Sequence, residues 1–302
     1  MSDHSQPQPG SGVTLSAQGG RLAIGGDVVG RDKIVNNIQH IVQRALTAAE
    51  EATGDRALEQ QALAQGVSAF AVRLQGIASE TADTQDANPY KGLPAYSLGD
   101  AEIFFGRSAA LAQLFKRLGR GSLTVLHAEA GAGKSSLVQA GLSPRLIAAG
   151  HLPVYLRVQS TNPALLVKRA FLADPGQAPL LATASLHDFL RQVSEVLGPE
   201  TTLYILLDQA ERLFTEVDEG GRAEFVADLA DCLGDASLAE RVLWLLVLRA
   251  EFFDQLSGFQ PQIQNPLENE YHLRCFSRAE VRAAMVEPAR QRGLAFEEGL
   301  PE

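Results

Sequence analysis

A run of small and polar residues, AEAGAGKSS at 128–136, has the composition of a loop that wraps an anion. Glycines let backbone N–H groups approach a phosphate closely, Lys134 adds a positive charge, and Ser135 offers a hydroxyl to a metal ion. An apolar run precedes the loop and a helical pattern follows it, so a helix N-terminus would face the anion. The pattern is that of a P-loop, with Ala128 in place of the first glycine. The predicted phosphate site comprises Ala128, Glu129, Ala130, Gly131, Ala132, Gly133, Lys134, Ser135 and Ser136.

The stretch YILLDQAERLF at 204–214 supplies the second group of polar side chains. Asp208 follows a buried apolar run and can hold the same Mg²⁺ as Ser135, usually through water. Gln209 can position a water molecule, and Glu211 can accept a proton from it. A surface ion pair between Glu211 and Arg212 is the alternative for that glutamate. The sequence therefore predicts binding of a nucleotide with Mg²⁺.

A single arginine, Arg249, ends the apolar run VLWLLVL at 242–248. Ligands of open α/β sheets collect at the carboxyl ends of the strands, and guanidinium groups match phosphates. We therefore expect Arg249 to sense a γ-phosphate, with a plain surface charge as the alternative.

The elements that must position these residues alternate between strand and helix. Continuous apolar runs at 123–127, 152–158, 202–207 and 241–248 are typical of parallel strands covered on both faces. A weaker strand is predicted at 271–275, and helices at 135–149, 186–197 and 222–233. A last helix begins near residue 279 and is expected to kink or end at Pro288. The pattern predicts an α/β fold, a P-loop NTPase parallel sheet with flanking helices.

The chain before this core shows three patterns. Residues 1–19 have the composition of a disordered lead-in, and 20–34 contain three Gly-initiated units, GRLAI, GGDVV and GRDKI. The units predict a hairpin or docking strand, or alternatively a strand that stacks between chains. Residues 35–82 predict a helical hairpin adaptor, in which Gly66 and Gly76 weaken the second helix, and 83–90 a linker. The second helix carries a narrow apolar seam that either covers the neighbouring helix or mediates oligomerisation. The seam residues are Leu63, Val67, Phe70, Leu74 and Ile77.

Composition limits the partners and the compartment. A net charge of −10 argues against nucleic acid as a main partner. Cys232 and Cys275 are isolated in sequence, which argues against a disulfide framework or a zinc site. The N-terminus lacks the apolar core of a signal peptide, and the run at 242–248 is too short to span a bilayer. We therefore expect a cytoplasmic protein with no membrane partner.

Four motifs in order carry a resemblance that covers residues 88–302: NPYKGLPAYSLGDAEIFFGR, the P-loop, LLDQAERLFT and LRAEFF. Together they resemble the STAND class of signalling ATPases, in its novel STAND NTPase subgroup. The resemblance implies that Phe105, Gly106 and Arg107 contact the adenine base, and that glutamine after the aspartate is usual. The chain departs from the family pattern at Ala210 and Arg212, which puts a carboxylate role at position 212 in doubt.

The resemblance also implies a function. STAND proteins act as slow switches that are closed with ADP and open and oligomerise with ATP, in bacterial defence or programmed cell death. Residues 91–275 would form the NTPase core and 276–302 the start of a lid, with residues 20–82 meeting an effector or adaptor. Family members continue into a winged helix and a sensing array, so we expect this chain to be a fragment or truncated product. Two alternatives are a fast AAA-type ATPase and an interaction scaffold in which the nucleotide is structural.

Overall fold

A computed structural model describes residues 13–17, 20–24, 29–54, 56–79, 88–172, 176 and 178–297, with the backbone alone for the first two ranges. Within these residues no helix combines the length and apolarity needed to cross a bilayer.

Seven strands and twelve helices occur in the described part of the chain. The strands are β1 (Val13–Ala17), β2 (Gly20–Ile24), β3 (Leu123–Ala128), β4 (Leu152–Arg157), β5 (Leu203–Asp208), β6 (Val242–Arg249) and β7 (Glu270–His272). The helices are α1 (Arg31–Glu51), α2 (Ala57–Ser79), α3 (Ser108–Leu118), α4 (Lys134–Ser136), α5 (Ser143–Ala148), α6 (Pro163–Phe171), α7 (Pro179–Thr183), α8 (Leu186–Leu197), α9 (Arg212–Thr215), α10 (Glu219–Gly234), α11 (Ala236–Ala239) and α12 (Arg278–Gln291). Leu98–Ile103 and Ala250–Phe259 are 3₁₀-helical, and Leu137–Leu142 forms a π-helical turn between α4 and α5.

The central sheet has five parallel strands in the order β4-β5-β6-β3-β7. β5 is buried along its whole length and β6 up to its last residue, because helices cover both faces. The predicted α/β sheet is therefore confirmed, and its four main strands end at one common edge. The fifth strand is shorter than predicted: β7 ends at His272 because it pairs with β3 at only three positions.

The helical hairpin packs against the sheet domain and shares its core. Ile34, Ile38 and Ile41 of α1 belong to the same buried cluster as Val193 of α8 and Phe171 of α6. The Nδ2 of Asn37 donates to the carbonyl of Ile147, 2.9 Å away, and the backbone N of Leu180 donates to Glu59.

The burial of its residues shows what most of the predicted seam on α2 packs against. Leu63 and Val67 are fully buried, Phe70 and Leu74 are partly buried against the same core, and Ile77 remains exposed. The seam therefore covers neighbouring elements of its own chain, which is the first of the two alternatives, and little of it is left exposed for oligomerisation.

The N-terminal boundaries differ from the prediction. The lead-in predicted at 1–19 contains β1, which pairs antiparallel with β2 from Val13 opposite Ile24 to Ala17 opposite Gly20. The repeat predicted at 20–34 ends early, because Arg31 begins α1 and Ile34 continues the buried spacing of that helix. The GGDVV unit lies mostly outside the described residues.

One helix end also differs from the prediction. α12 passes through Pro288 and ends at Gln291, so of the two outcomes predicted at the proline, a kink or an end, the end is wrong. Proline fits a helical φ, and one missing N–H removes a single backbone hydrogen bond.

Candidate functional site

The polar side chains predicted to act together converge at the carboxyl edge of the sheet. β3 leads into the loop at 128–133, β5 ends on Asp208, and the neighbouring β6 ends on Arg249. Because β3, β5 and β6 are parallel and adjacent, their last residues lie on the same edge.

The loop at 128–133 has the backbone of a phosphate cradle. Gly131 and Gly133 have φ of 77° and 88°, and a Cβ on either would meet nothing within 4 Å. The left-handed backbone at both positions favours glycine, and no described protein atom crowds either one. Ala128 is fully buried as the last residue of β3, and Ser136 accepts a hydrogen bond from the backbone N of Tyr96, 3.1 Å away.

Lys134 folds back over this loop. Its Nζ donates to the carbonyls of Ala128 and Glu129, each 2.9 Å away. Burial lowers the pKa of Lys134, while the charges of Glu211 and Asp208 oppose that shift. The ammonium group is thus held at the loop among carboxylates.

Ser135 and Asp208 meet as the sequence predicts. The Ser135 Oγ donates to Oδ2 of Asp208 at 2.6 Å, and Asp208 is 1% exposed. A hydroxyl has one hydrogen and two lone pairs, so Ser135 can donate to Asp208 and still offer a lone pair to a cation. Hard oxygen donors are the ligands that Mg²⁺ prefers, so the pair fits the predicted metal.

Gln209 adopts a backbone conformation that its sequence context did not indicate. Its φ is 57°, one of two positive values at non-glycine residues in the described chain. The residue turns the chain sharply after β5, and its backbone N donates to Oδ1 of Asp208 at 2.9 Å. Such conformations cost free energy and cluster at functional sites.

Glu211 pairs with Arg249 and not with Arg212. The Glu211 Oε1 lies 3.3 Å from Nε of Arg249, whereas Arg212 pairs with Glu216, the C-cap residue of its own helix. The surface pair considered for Glu211 and Arg212 is therefore wrong. The other carboxylate oxygen, Oε2, is buried and has no hydrogen-bond partner in the described structure. Arg249 is 51% exposed, so its guanidinium also faces open space.

The segment 105–107 lies beside the loop, but its contacts are with the protein itself. Arg107 is 3% exposed and donates to the carbonyl of Ala132 at 2.8 Å and of Arg274 at 2.9 Å. Its guanidinium stacks 3.6 Å from the ring centre of Phe276. Gly106 has a φ of 81°, and a Cβ there would lie 2.4 Å from the carbonyl oxygen of Glu280 in α12. Arg107 and Gly106 thus join the phosphate loop to α12.

Phe105 is partly buried and lies in the chain between the 3₁₀-helix Leu98–Ile103 and α3. An adenine contact by Phe105, Gly106 and Arg107 stays a prediction.

Comparison with known proteins decides the family. The sequence model described as Novel STAND NTPase 1 matches residues 89–302. The chain belongs to this family. A search of curated proteins found no match.

Two solved structures of the Aeropyrum pernix ORC2 protein are similar to this chain. The ADP form is 15% identical with a TM-score of 0.44, and the alignment covers 64% of this chain and 53% of that one. The ADPNP-ADP complexes are 16% identical with a TM-score of 0.45, covering 68% and 54%. The chain thus spans about half the length of these ORC2 chains.

The chain has two further residues at this edge that the motifs do not include. The Tyr155 hydroxyl donates to Oδ2 of Asp208 at 2.5 Å, and Nε of Arg157 donates to the Tyr155 oxygen at 3.1 Å. Burial and the Asp208 charge raise the pKa of Tyr155, which keeps it a donor. The sequence signal was the tyrosine and arginine at the end of the apolar run LPVYLRV.

Proposed function

We propose that this chain is an ATP- and Mg²⁺-dependent signalling switch with slow hydrolysis. The observation that carries the proposal is the 2.6 Å contact between Ser135 and Asp208 beneath a glycine-dependent loop that also holds Lys134. Ser135 and Asp208 would hold Mg²⁺, which neutralises charge on the phosphates when bound. Lys134 and the loop N–H groups would hold the phosphates themselves.

A switch needs contacts that differ between ADP and ATP, since a ligand shifts an equilibrium only by its difference in affinity for two states. Arg249 is a candidate for that difference. It is half-exposed and paired with Glu211 at 3.3 Å, so a γ-phosphate at this edge would compete with the glutamate for the guanidinium. Release of Glu211 would in turn free a carboxylate to orient or deprotonate water.

The contacts of Arg107 would transmit a difference between the ADP and ATP states from the phosphate loop to α12. The guanidinium bridges the Ala132 carbonyl of the phosphate loop and the Arg274 carbonyl, four residues before α12 begins at Arg278. The hydroxyl of Tyr90 also donates to the Met285 carbonyl within that helix. A change in the loop would therefore reach the helix through a short run of direct contacts.

Nucleotide binding by the full chain tests the proposal. Mass analysis of nucleotide retained through purification would identify the resting state, for which we expect ADP. Lys134→Ala is expected to abolish ADP uptake, whereas Lys116→Ala, an exposed lysine on α3, is expected to leave it unchanged. Absence of ADP and ATP uptake by the parent chain would refute the proposal.

Turnover and assembly separate the switch from its two alternatives. We expect fewer than about 1 turnover per second, at the lower limit of the range usual for enzymes. Sustained faster hydrolysis would favour a motor-like ATPase. Self-association in ATP is expected for the parent and not for Lys134→Ala; equal assembly of both would favour a scaffold. A role in bacterial defence or programmed cell death rests on the family resemblance alone.

A further inference from the structure

Two side chains of β4 reach the carboxylate of the neighbouring strand. β4 pairs with β5 in parallel, with Tyr155 opposite Leu206 and Arg157 opposite Asp208. Side chains two residues apart in a strand lie on one face, so Tyr155 and Arg157 share a face at the end of the strand. Tyr155 packs against the smaller of the two core clusters, which contains Leu206 and Tyr204.

The direction of both hydrogen bonds follows from the donor inventory. Arg157 has no acceptor, so its Nε must donate to the Tyr155 oxygen, 3.1 Å away. A phenol has a single hydrogen, which is then directed at Oδ2 of Asp208, 2.5 Å away. Arg157 therefore fixes the orientation in which the Tyr155 hydroxyl donates to Asp208.

Asp208 is held at both carboxylate oxygens. Oδ2 accepts from Tyr155 and Ser135, and Oδ1 accepts from the backbone N of Gln209. Because Asp208 is 1% exposed, water cannot readily replace a lost donor. Removing the Tyr155 hydroxyl would leave Ser135, itself a candidate Mg²⁺ ligand, as the one side-chain donor that the described contacts give to Oδ2.

We propose that Tyr155 is a positioning residue that holds the Asp208 carboxylate in place for the Mg²⁺-nucleotide complex, and that Arg157 acts through Tyr155. This inference rests on the proposed nucleotide function. It predicts an effect on the Mg²⁺-dependent part of nucleotide affinity and none on the part that Lys134 and the loop backbone supply.

Calorimetric titration of the full chain with ADP, in EDTA and over a series of Mg²⁺ concentrations, tests the role of Tyr155. Tyr155→Phe keeps the ring and removes the hydroxyl. We expect its ADP affinity in EDTA to match the parent within about twofold, and the Mg²⁺ concentration for half-maximal enhancement to rise about tenfold. An unchanged or lower Mg²⁺ requirement would overturn the inference.

The matched control is Tyr204→Phe. Tyr204 is buried on the neighbouring strand in the same cluster, and its ring packs against His151. Its Mg²⁺ requirement is expected to equal that of the parent. A tenfold rise in this control as well would show a general effect of losing a core hydroxyl and would overturn the inference.

A double-mutant cycle tests whether Arg157 acts through Tyr155. Arg157→Met is expected to raise the Mg²⁺ requirement about threefold by itself and to add nothing to Tyr155→Phe. Additive losses would show a direct role for Arg157 and overturn that part of the inference. If the parent binds no ADP, the proposed function fails; if the parent shows Mg²⁺ enhancement and Tyr155→Phe shows the same, only the role of Tyr155 fails.

Discussion

Gly66, in the middle of α2, offers a test in which sequence and structure predict opposite signs. Glycine in a helix costs about 1 kcal/mol relative to alanine, so sequence alone predicts that Gly66→Ala stabilises the protein. In the folded chain, a Cβ at Gly66 would lie 1.7 Å from the carbonyl oxygen of Phe171 at the end of α6. The structure therefore predicts that the same substitution destabilises it.

The magnitude follows from the contact that must be relieved. Ordinary van der Waals contact begins at 3.4 Å, so the two helices must separate by about 1.7 Å at this point. Arg73 resists that movement by donating to the Ala170 carbonyl at 3.0 Å, as does Phe70, whose ring centre lies 5.4 Å from that of Phe171. Overpacking costs about 1–3 kcal/mol, and a clash with backbone belongs in the upper half of that range. After subtracting the helix-propensity gain, we expect a net loss of about 1–2 kcal/mol.

Urea unfolding followed by the fluorescence of the single tryptophan, buried Trp244, measures this change. Gly76→Ala in the same helix is the matched control, because a Cβ there meets nothing within 4 Å. We expect the control to gain about 0.5–1 kcal/mol in unfolding free energy. If Gly66→Ala is as stable as Gly76→Ala, α2 does not pack against α6 as described.

Three further outcomes are expected. Burial lowers the pKa of His151 from 6.5 to about 4, so the unfolded chain binds the proton more readily than the folded one, and the free energy of unfolding falls by roughly 3 kcal/mol as the pH drops from about 6.5 to 4. In His151→Asn the urea midpoint should depend less on pH over that window, and an equal dependence in both proteins would contradict this. Arg107→Lys keeps the charge but lacks the planar guanidinium, which donates to two carbonyls through separate nitrogens while it stacks on the Phe276 ring. The free energy of unfolding should therefore fall by about 2 kcal/mol, and parental stability would argue against the bridge. Glu211→Gln should slow phosphate release at least about a hundredfold while ADP affinity stays within a few-fold; unchanged release would exclude the carboxylate as the base.

The sequence determined the elements whose signal is local. Apolar runs bounded by polar residues identify the four main strands, since a strand covered on both faces must be apolar throughout. The loop at 128–136 could be assigned because its chemistry depends on residue types at fixed spacing. The contact between Ser135 and Asp208 could also be predicted from the sequence, since parallel strands bring their carboxyl ends to one edge of the sheet.

Tertiary structure decided which partner each polar group chose. The sequence alone allows Glu211 to pair with its neighbour Arg212. In the structure β6 brings Arg249 within 3.3 Å of Glu211, because adjacent strands place residues that are distant in sequence side by side. The tyrosine of β4 is 53 positions from Asp208 in sequence and became its hydrogen-bond donor through strand register. The apolar spacing of the α2 seam is the same whether the seam packs against another chain or against its own chain. Only the packing of the hairpin onto α6 and α8 made it part of the core, because an apolar face lowers the free energy equally well against any surface that excludes water.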